Sequence, residues 1–177
     1  PDGLMAVFEM LRSHDAQPRP GRLIGRMGNL CIHPGFFPTS ATTASMVVEY
    51  RSDCAVIWRT DASYPCLSLY KPLLCRDGTF LPLWRKSLDG GEDPYAYWLR
   101  RKAWAHAAGR LRLSEQQDFV ASRDAAQRSI LELAERAVAS MSADVEHGDR
   151  EAAQRVATAY AGEIAAIVRE WEAQWGA

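Results

Sequence analysis

The chain has 177 residues, of which 47% are hydrophobic, so it is long enough for one globular domain with a substantial core. Its 21 basic and 22 acidic residues nearly cancel to a net charge of −1, which argues against a global attraction to nucleic acid or to an anionic membrane surface. No apolar run reaches the roughly 20 residues of a transmembrane helix, and the first residues lack the basic-then-apolar order of a signal peptide, so we expect a soluble cytoplasmic protein that binds no nucleic acid and no membrane.

The first predicted element is a short amphipathic helix over residues 4–14. Its apolar residues recur at helical spacing, and they are Leu4, Val7, Phe8 and Leu11. The following "DAQPRPG" carries two prolines and a glycine, which stop a helix. Because the sequence starts at Pro1 and this helix begins almost at once, we expect the chain to be a fragment of a longer protein.

Residues 23–82 change to short apolar segments that are rich in β-branched and aromatic residues. The segments "SMVVEY", "CAVIWRT" and "CLSLYKPLL" are separated by the polar breaks "RSD" and "DASYP", a pattern that predicts successive antiparallel strands. The link "RSD" is too short for a crossover, so the first two strands should form a hairpin.

Almost all of residues 95–175 is predicted to be helical, after the loop "SLDGGEDP". Ser114 with Gln117 matches a capping box at the start of the second of three amphipathic helices, and "EHGD" around Gly148 separates the second from the third. The predicted fold is therefore α+β. It is one domain in which residues 1–92 supply a helix and the strands, and residues 93–177 form a helical region that packs on them.

The cysteines indicate no metal or redox motif. They fall at irregular intervals without a C-x-x-C pair, so buried free thiols are the favoured interpretation of Cys31, Cys54, Cys66 and Cys75. Cys31 and His33 would share one face of an extended strand as a nucleophile and its base, but no third group is evident to orient them. A metal would need a second pair of ligands at a usable spacing. We therefore predict no metal site, no cofactor and no catalytic residue within this chain.

The hydroxyl-rich run "TSATTAS" at residues 39–45 leads directly into the first predicted strand. Such hydroxyls could hydrogen-bond a substrate, or they could satisfy main-chain groups at the end of the strand, and composition leaves the two interpretations about equal. The preceding "HPGFFP" predicts a bent turn that would hold the run in a defined place.

Strand alternation decides which of these hydroxyls we assign to a substrate site. Thr43 and Ser45 would share one face, while Thr42 would share the other face with Met46 and Val48, which look like core residues. We therefore predict Thr43 and Ser45 as substrate-binding residues, with His33 as a supporting residue beside them. The alternative is that all of the hydroxyls only cap main-chain groups.

The order of the sequence motifs resembles the distal half of the secernin and cysteine-type dipeptidase (dipeptidase A) family. The pieces that carry the resemblance lie between about Val7 and Met141, and in chain order they are "LCIHPG", "TTASMV", "WRTDASYPCLSLYKP", "YWLRRKAWAHA" and "LELAERAV". The combination of "TTASM" with P-C-x-S-x-Y-K-P is fairly specific, whereas the helical tail is not.

The resemblance implies an N-terminal-nucleophile hydrolase of the four-layered αββα fold. In such a family the cysteine at the mature N-terminus attacks an amide, typically in a dipeptide, and its own α-amino group acts as the base. This chain begins with Pro1 and has no such cysteine, so Cys31 is not given that role. We expect the C-terminal portion of a dipeptidase or related amide hydrolase, catalytically incomplete alone, whose partners are the missing N-terminal half and a dipeptide or small amide substrate.

The alternative function is a non-catalytic secernin-like interaction or regulatory protein, because a fold does not fix a function and eukaryotic secernins are associated with exocytosis. Trp171 and Trp175 near the end of the last helix would then form a docking or self-association surface, which would make the chain a homo-oligomer. In either case, a sheet that lacks its partner should expose an edge and an apolar face.

Overall fold

The structure is a computed structural model, and it describes residues 2–14, 30–33, 41–76, 78–84, 93–107, 110–146 and 150–176. The helices are α1 (Asp2–Leu11), α2 (Pro94–His106), α3 (Gln117–Glu146) and α4 (Arg150–Gln174). The strands are β1 (Met46–Tyr50), β2 (Ala55–Arg59), β3 (Lys71–Arg76) and β4 (Thr79–Pro82), and two short 3₁₀ helices span Pro65–Leu67 and Arg110–Glu115. The predicted α+β class is confirmed.

The strands form one antiparallel sheet in the order β1-β2-β3-β4. The predicted hairpin is confirmed, since Tyr50 pairs with Ala55 and the amide of Arg51 donates to the carbonyl of Cys54 at 2.9 Å. The prediction of a strand over all of "CLSLYKPLL" is wrong in its first half. A proline with a fixed φ and no amide proton opens a 3₁₀ helix at Pro65, and pairing with β2 begins only at Lys71. Strand β4 was not among the predicted strands.

The two faces of the sheet differ in burial. Alternation places four buried side chains on an inner face, and they are Val56, Trp58, Leu74 and Leu81. The opposite set forms an outer face that is half-buried or exposed apart from Lys71, which is 2% exposed, and its apolar members include Met46, Val48, Tyr50, Ile57, Leu73 and Phe80. The expectation that Met46 and Val48 belong to the core is therefore wrong, because β1 turns Val47 towards the core instead.

The inner face is covered by helices. In α1, the ring of Phe8 stacks on Tyr70 at 4.1 Å between centroids and meets Trp58 edge-on at 5.7 Å. Helix α3 contacts β3, α4 contacts β4, and the two long helices pack against each other around one hydrophobic core that also contains the sheet residues. This core includes side chains from both sides of residue 92. Within the described ranges, no helix is both long and apolar enough to cross a membrane.

Three amphipathic helices follow the sheet as predicted, but one predicted helix start is wrong. Ser114 lies inside the 3₁₀ helix Arg110–Glu115, so it cannot cap α3, which begins at Gln117. The start of α2 instead shows a true cap, in which the carboxylate of Asp93 accepts from the amide of Ala96 at 3.1 Å. The predicted stop in "DAQPRPG", the bent turn at residues 34–38 and the break at Gly148 lie outside the described residues.

The tryptophan of α4, Trp171, and the one that follows its end, Trp175, are covered by this chain itself. Trp171 is 4% exposed and lies 5.6 Å from Phe119 between ring centroids. Trp175 is half-buried against the same Phe119 at 5.0 Å, and its indole donates to the hydroxyl of Ser122 at 3.3 Å. Because the aromatic rings are packed within the fold, the reason for predicting a docking surface at these two residues does not hold.

Candidate functional site

The segment that joins β2 to β3, residues 60–70, is a buried loop. Every residue from 62 to 70 is buried, and two non-glycine residues adopt left-handed backbone conformations, Asp61 at φ 50° and Tyr64 at φ 63°. Such conformations are costly for L-residues and persist only where the surroundings hold them. A buried loop also needs partners for its main-chain carbonyls, because water cannot reach them.

Three buried arginines supply these partners, one following α1, one in α2 and one in α3. Their guanidinium groups donate to consecutive carbonyls of the loop: Arg12 to Pro65 at 3.3 Å and Ser68 at 2.9 Å, Arg123 to Cys66 at 2.7 Å, and Arg101 to Leu67 at 2.8 Å. Each of these arginines is at most 5% exposed. Burial, followed by the charge of Arg123, lowers the pKa of Arg12 to about 9. The helices and the loop are thus tied together by charged donors.

Two further side chains fix the ends of the loop. The amide group of Gln127 in α3 accepts from the main-chain N–H of Tyr70 at 2.8 Å and donates to its carbonyl at 2.9 Å. At the other end, the ammonium of Lys71 donates to the carbonyl of Thr60 at 2.6 Å. Lys71 is 2% exposed, and burial lowers its pKa to about 8. The loop therefore has little freedom at either end.

The hydroxyl run before β1 is linked to the same loop. The amide of Ser45 donates to the hydroxyl of Thr60 at 3.1 Å, and the amide of Thr60 donates back to the carbonyl of Ser45 at 3.1 Å. The phenol of Tyr70 donates to the hydroxyl of Ser45 at 2.7 Å. The hydroxyl of Thr42 accepts from the amide of Ile32 at 2.9 Å and donates to the carbonyl of Leu30 at 3.1 Å. The hydroxyl of Thr42 therefore satisfies main-chain groups, which is one of the two roles that the sequence suggested for the hydroxyl run.

Two cysteines and two histidines meet beside this loop. Their candidate ligand atoms all lie within 4.8 Å of one another, and the residues are His14, Cys31, His33 and Cys66. The Nε2 atom of His33 lies 3.0 Å from the Sγ atom of Cys66, and the two imidazole rings meet edge-on with 4.6 Å between centroids. Both cysteines are buried, and both histidines are half-buried. We call these four residues the thiol–imidazole cluster.

The members of the thiol–imidazole cluster come from three parts of the chain. His14 follows the end of α1, and Cys66 lies in the 3₁₀ helix whose carbonyls the arginines hold. Cys31 and His33 lie in the short segment 30–33, whose main chain is bonded to Thr42. The neighbouring Tyr64 contacts His33 edge-on at 5.2 Å between ring centroids. Three separate parts of the chain are therefore needed to form the cluster.

The two thiols of the cluster differ in their affinity for a proton. Interaction with Cys66, followed by the two imidazoles, lowers the pKa of Cys31, although burial opposes this. Burial, followed by interaction with Cys31, raises the pKa of Cys66. The first proton of the pair is thus lost easily and the second is retained. Cys31 is 0% exposed, so its sulfur is shielded from substrates in solution.

The predicted substrate-binding residues occupy different environments. The side chain of Thr43 is exposed, and Ser45 is half-buried with its hydroxyl bonded to Tyr70. His33 belongs to the thiol–imidazole cluster rather than to the hydroxyl run. Residues 43–45 precede β1, so the alternation used to pair Thr43 with Ser45 does not apply to them.

The thiol–imidazole cluster was missed because its members lie far apart in sequence. The requirement for a second pair of ligands near Cys31 and His33 was met by His14 and Cys66, which are 17 and 33 residues away from the nearer member of that pair. The end of α1 and the segment 30–33 both pack against the loop, and this packing brings the four residues together. The cluster has the two-sulfur, two-nitrogen composition that suits a tetrahedral metal ion.

Comparison of the chain with protein-family models, with curated proteins and with solved structures finds no match. The resemblance to secernins and dipeptidases therefore depends on the motifs in the sequence alone.

Proposed function

We propose that this chain is the distal portion of a secernin-like dipeptidase or related amide hydrolase, whose N-terminal cysteine nucleophile is supplied by another part of the protein. The observation that carries this proposal is the outer face of the sheet. A four-layered αββα fold stacks two sheets face to face between helical layers. Each half of such a fold has one sheet face against helices and one apolar face for the other sheet.

The outer face fits this requirement. Met46 and Tyr50 of β1 and Phe80 of β4 are 64%, 84% and 58% exposed. Between these strands lie the half-buried residues Ile57 and Leu73, which are paired in register. An apolar surface that runs across all four strands is unusual on a face left to water, and it marks a site of contact with another protein surface. The second sheet of the hydrolase is the partner that this proposal assigns to it.

Two of the motifs that carry the resemblance lie together in the structure, and this supports the proposal. The run "TTASM" and the run "WRTDASYPCLSLYKP" are 11 residues apart in sequence, and they are joined through paired hydrogen bonds between Ser45 and Thr60. The tyrosine and the lysine of the second run contribute the bonds from Tyr70 to Ser45 and from Lys71 to Thr60. Residues that define the resemblance thus serve one local structure, as expected of a motif that is inherited as a unit.

Within this proposal, Thr43 and Ser45 bind substrate and His33 supports them. Thr43 is exposed and available for a ligand. The hydroxyl of Ser45 accepts from Tyr70 and retains its own proton for donation. The attacking thiol comes from the N-terminal half, because the buried Cys31 is not accessible to an amide.

The proposal is tested by co-expressing this chain with an N-terminal half that ends in the missing sheet and begins with the cysteine. We expect the pair to hydrolyse dipeptides or simple amides, and we expect Thr43→Val to lower kcat/KM by roughly tenfold, the loss of about 1.4 kcal/mol of transition-state binding. Thr158→Val on the exposed side of α4 is the matched control. Absence of hydrolysis by the pair, or hydrolysis that survives removal of the N-terminal cysteine, would show that the proposal is wrong.

The outer face also favours the second candidate, a non-catalytic secernin-like interaction protein. In that case, the same apolar surface binds a protein partner or a second copy of this chain. The co-expression experiment separates the two functions, because the interaction protein forms a complex through the outer face without any hydrolysis.

A further inference from the structure

We propose that His14, Cys31, His33 and Cys66 bind one zinc ion in a closed structural site. This site is additional to the proposed hydrolase function and does not depend on it. The zinc ion would join the end of α1, the segment 30–33 and the buried loop between β2 and β3. The argument depends on the geometry of the four side chains, on their burial and on the charge that they would carry with the metal.

The geometry is close to that of a tetrahedral site. Zinc–sulfur bonds of about 2.3 Å and zinc–nitrogen bonds of about 2.0 to 2.1 Å place the ligand atoms of a regular tetrahedron about 3.3 to 3.8 Å apart. In the thiol–imidazole cluster, all of these atoms lie within 4.8 Å of one another. The widest separations must therefore shrink by up to about 1.5 Å. The separation of 3.0 Å between Nε2 of His33 and Sγ of Cys66 must lengthen by about 0.5 Å. Side-chain rotations are enough for changes of this size.

The burial of the ligands indicates that the site is closed. The two cysteines are fully shielded from solvent, and the Nε2 atom of His14 is buried without a hydrogen-bond partner among the described residues. Buried polar atoms are normally satisfied, so an unsatisfied one beside two thiols calls for an explanation. A metal bond to this nitrogen satisfies it. Four protein ligands fill a tetrahedral shell, which is the arrangement of structural rather than catalytic zinc.

Charge and proton balance favour a soft divalent ion. Binding forms two zinc–sulfur and two zinc–nitrogen bonds, and protons that the thiols still carry pass to the solvent; nothing is oxidised or reduced. With two thiolates and two neutral imidazoles, the zinc site has no net charge. This matters because Arg12 and Arg123 already place two buried cations around Cys66. Thiolate and imidazole ligands select zinc over calcium and magnesium, which prefer oxygen.

The experiment is metal analysis of the whole chain, purified without chelators. We expect roughly one zinc per chain by mass spectrometry of the metal. Replacement of zinc by cobalt should give the visible bands of a tetrahedral ion together with a thiolate-to-cobalt charge-transfer band. Cys66→Ser and Cys31→Ser should each weaken zinc binding by roughly 100-fold or more, since loss of a ligand costs at least as much as loss of a residue that only orients one. The matched controls are Cys54→Ser and Cys75→Ser, which remove thiols outside the cluster and should retain the metal.

Three results would overturn the proposal. The first is a wild-type chain that neither retains zinc nor gives a thiolate-to-cobalt band on titration. The second is full zinc occupancy in Cys66→Ser, and the third is a freshly purified chain in which Cys31 and Cys66 are joined as a disulfide. If the serine variants fail to fold, the cobalt titration of the wild-type chain decides the question. None of these measurements uses hydrolysis, so a failed zinc site and a failed hydrolase function are told apart.

Discussion

Replacement of Lys71 by Met should change how the stability of the chain depends on pH. The ammonium of Lys71 is buried against the rings of Trp84 and Tyr97, with its nitrogen 4.7 Å and 5.4 Å from their centroids. Burial lowers its pKa from 10.5 to about 8, while the charges of Asp61 and Glu172 act in the opposite direction. The folded chain therefore releases this proton at a lower pH than the unfolded chain does.

The sign and size of the effect follow from proton linkage. Below pH 8 the lysine is protonated in both states, and the folded state carries the full cost of a buried charge. As the pH rises through 8 towards 10.5, the unfolded state binds more protons than the folded state, so the free energy of unfolding increases. For these two pKa values the gain between pH 7 and pH 10 is about 2.5 kcal/mol.

The assay is urea unfolding at pH 7 and pH 10, with zinc and ionic strength held constant. Other groups titrate in this range, so the quantity to compare is the difference between wild type and Lys71→Met. Wild type should gain about 2.5 kcal/mol more than the variant on going from pH 7 to pH 10. Lys102→Met, on the exposed side of α2, controls for the loss of a positive charge. Parallel pH profiles for wild type and Lys71→Met would refute the reasoning.

Three further predictions concern the loop, the outer face and a buried carboxylate. Gln127→Leu removes the side-chain amide that pairs with the buried main-chain N–H and C=O of Tyr70, so it should lower the free energy of unfolding in urea by about 3 to 5 kcal/mol. The exposed control Gln154→Leu should change this free energy by less than about 1 kcal/mol. Phe80→Lys should leave the thermal midpoint of the isolated chain almost unchanged but prevent binding of the proposed N-terminal half in a pull-down, while Tyr95→Lys on α2 should not prevent it. Glu172→Ala should lower the free energy of unfolding by about 3 to 5 kcal/mol in the same urea assay, because it removes the buried carboxylate that accepts a hydrogen bond from the phenol of Tyr97 at 2.6 Å. A decrease below about 1 kcal/mol would show that the contact contributes little.

The elements with a clear local pattern were predictable from the sequence. The hairpin of β1 and β2 follows from two apolar runs with a very short link, and the three later helices follow from their amphipathic repeats. The start of α3 was not predictable in the same way. Ser114 has the right neighbours for a cap, but the 3₁₀ helix Arg110–Glu115 occupies that position, and only the packing of the chain decides between the two.

The candidate sites were less predictable, because they depend on contacts between distant residues. Nothing near Cys66 in the sequence indicates that His14 lies beside it. Likewise, Arg12 looks like an exposed residue at the end of a short helix, yet it is 4% exposed and reaches carbonyls more than 50 residues away. A periodic pattern reports which face of an element is apolar. It does not report which polar side chains will be buried with their partners.

The arginine-held loop has a consequence for how the molecule opens. Its carbonyls are bonded to side chains that follow α1 or lie in α2 and α3, so none of these helices can leave without breaking bonds to the loop. A connection between two strands is ordinarily among the first parts of a protein to exchange its amide protons. Here the amides of Leu67 and Tyr70 should exchange as slowly as those of the central strands, through opening of the entire domain. The loop and the helices would then form a single cooperative unit, in which local fluctuations of one part are suppressed by all the others.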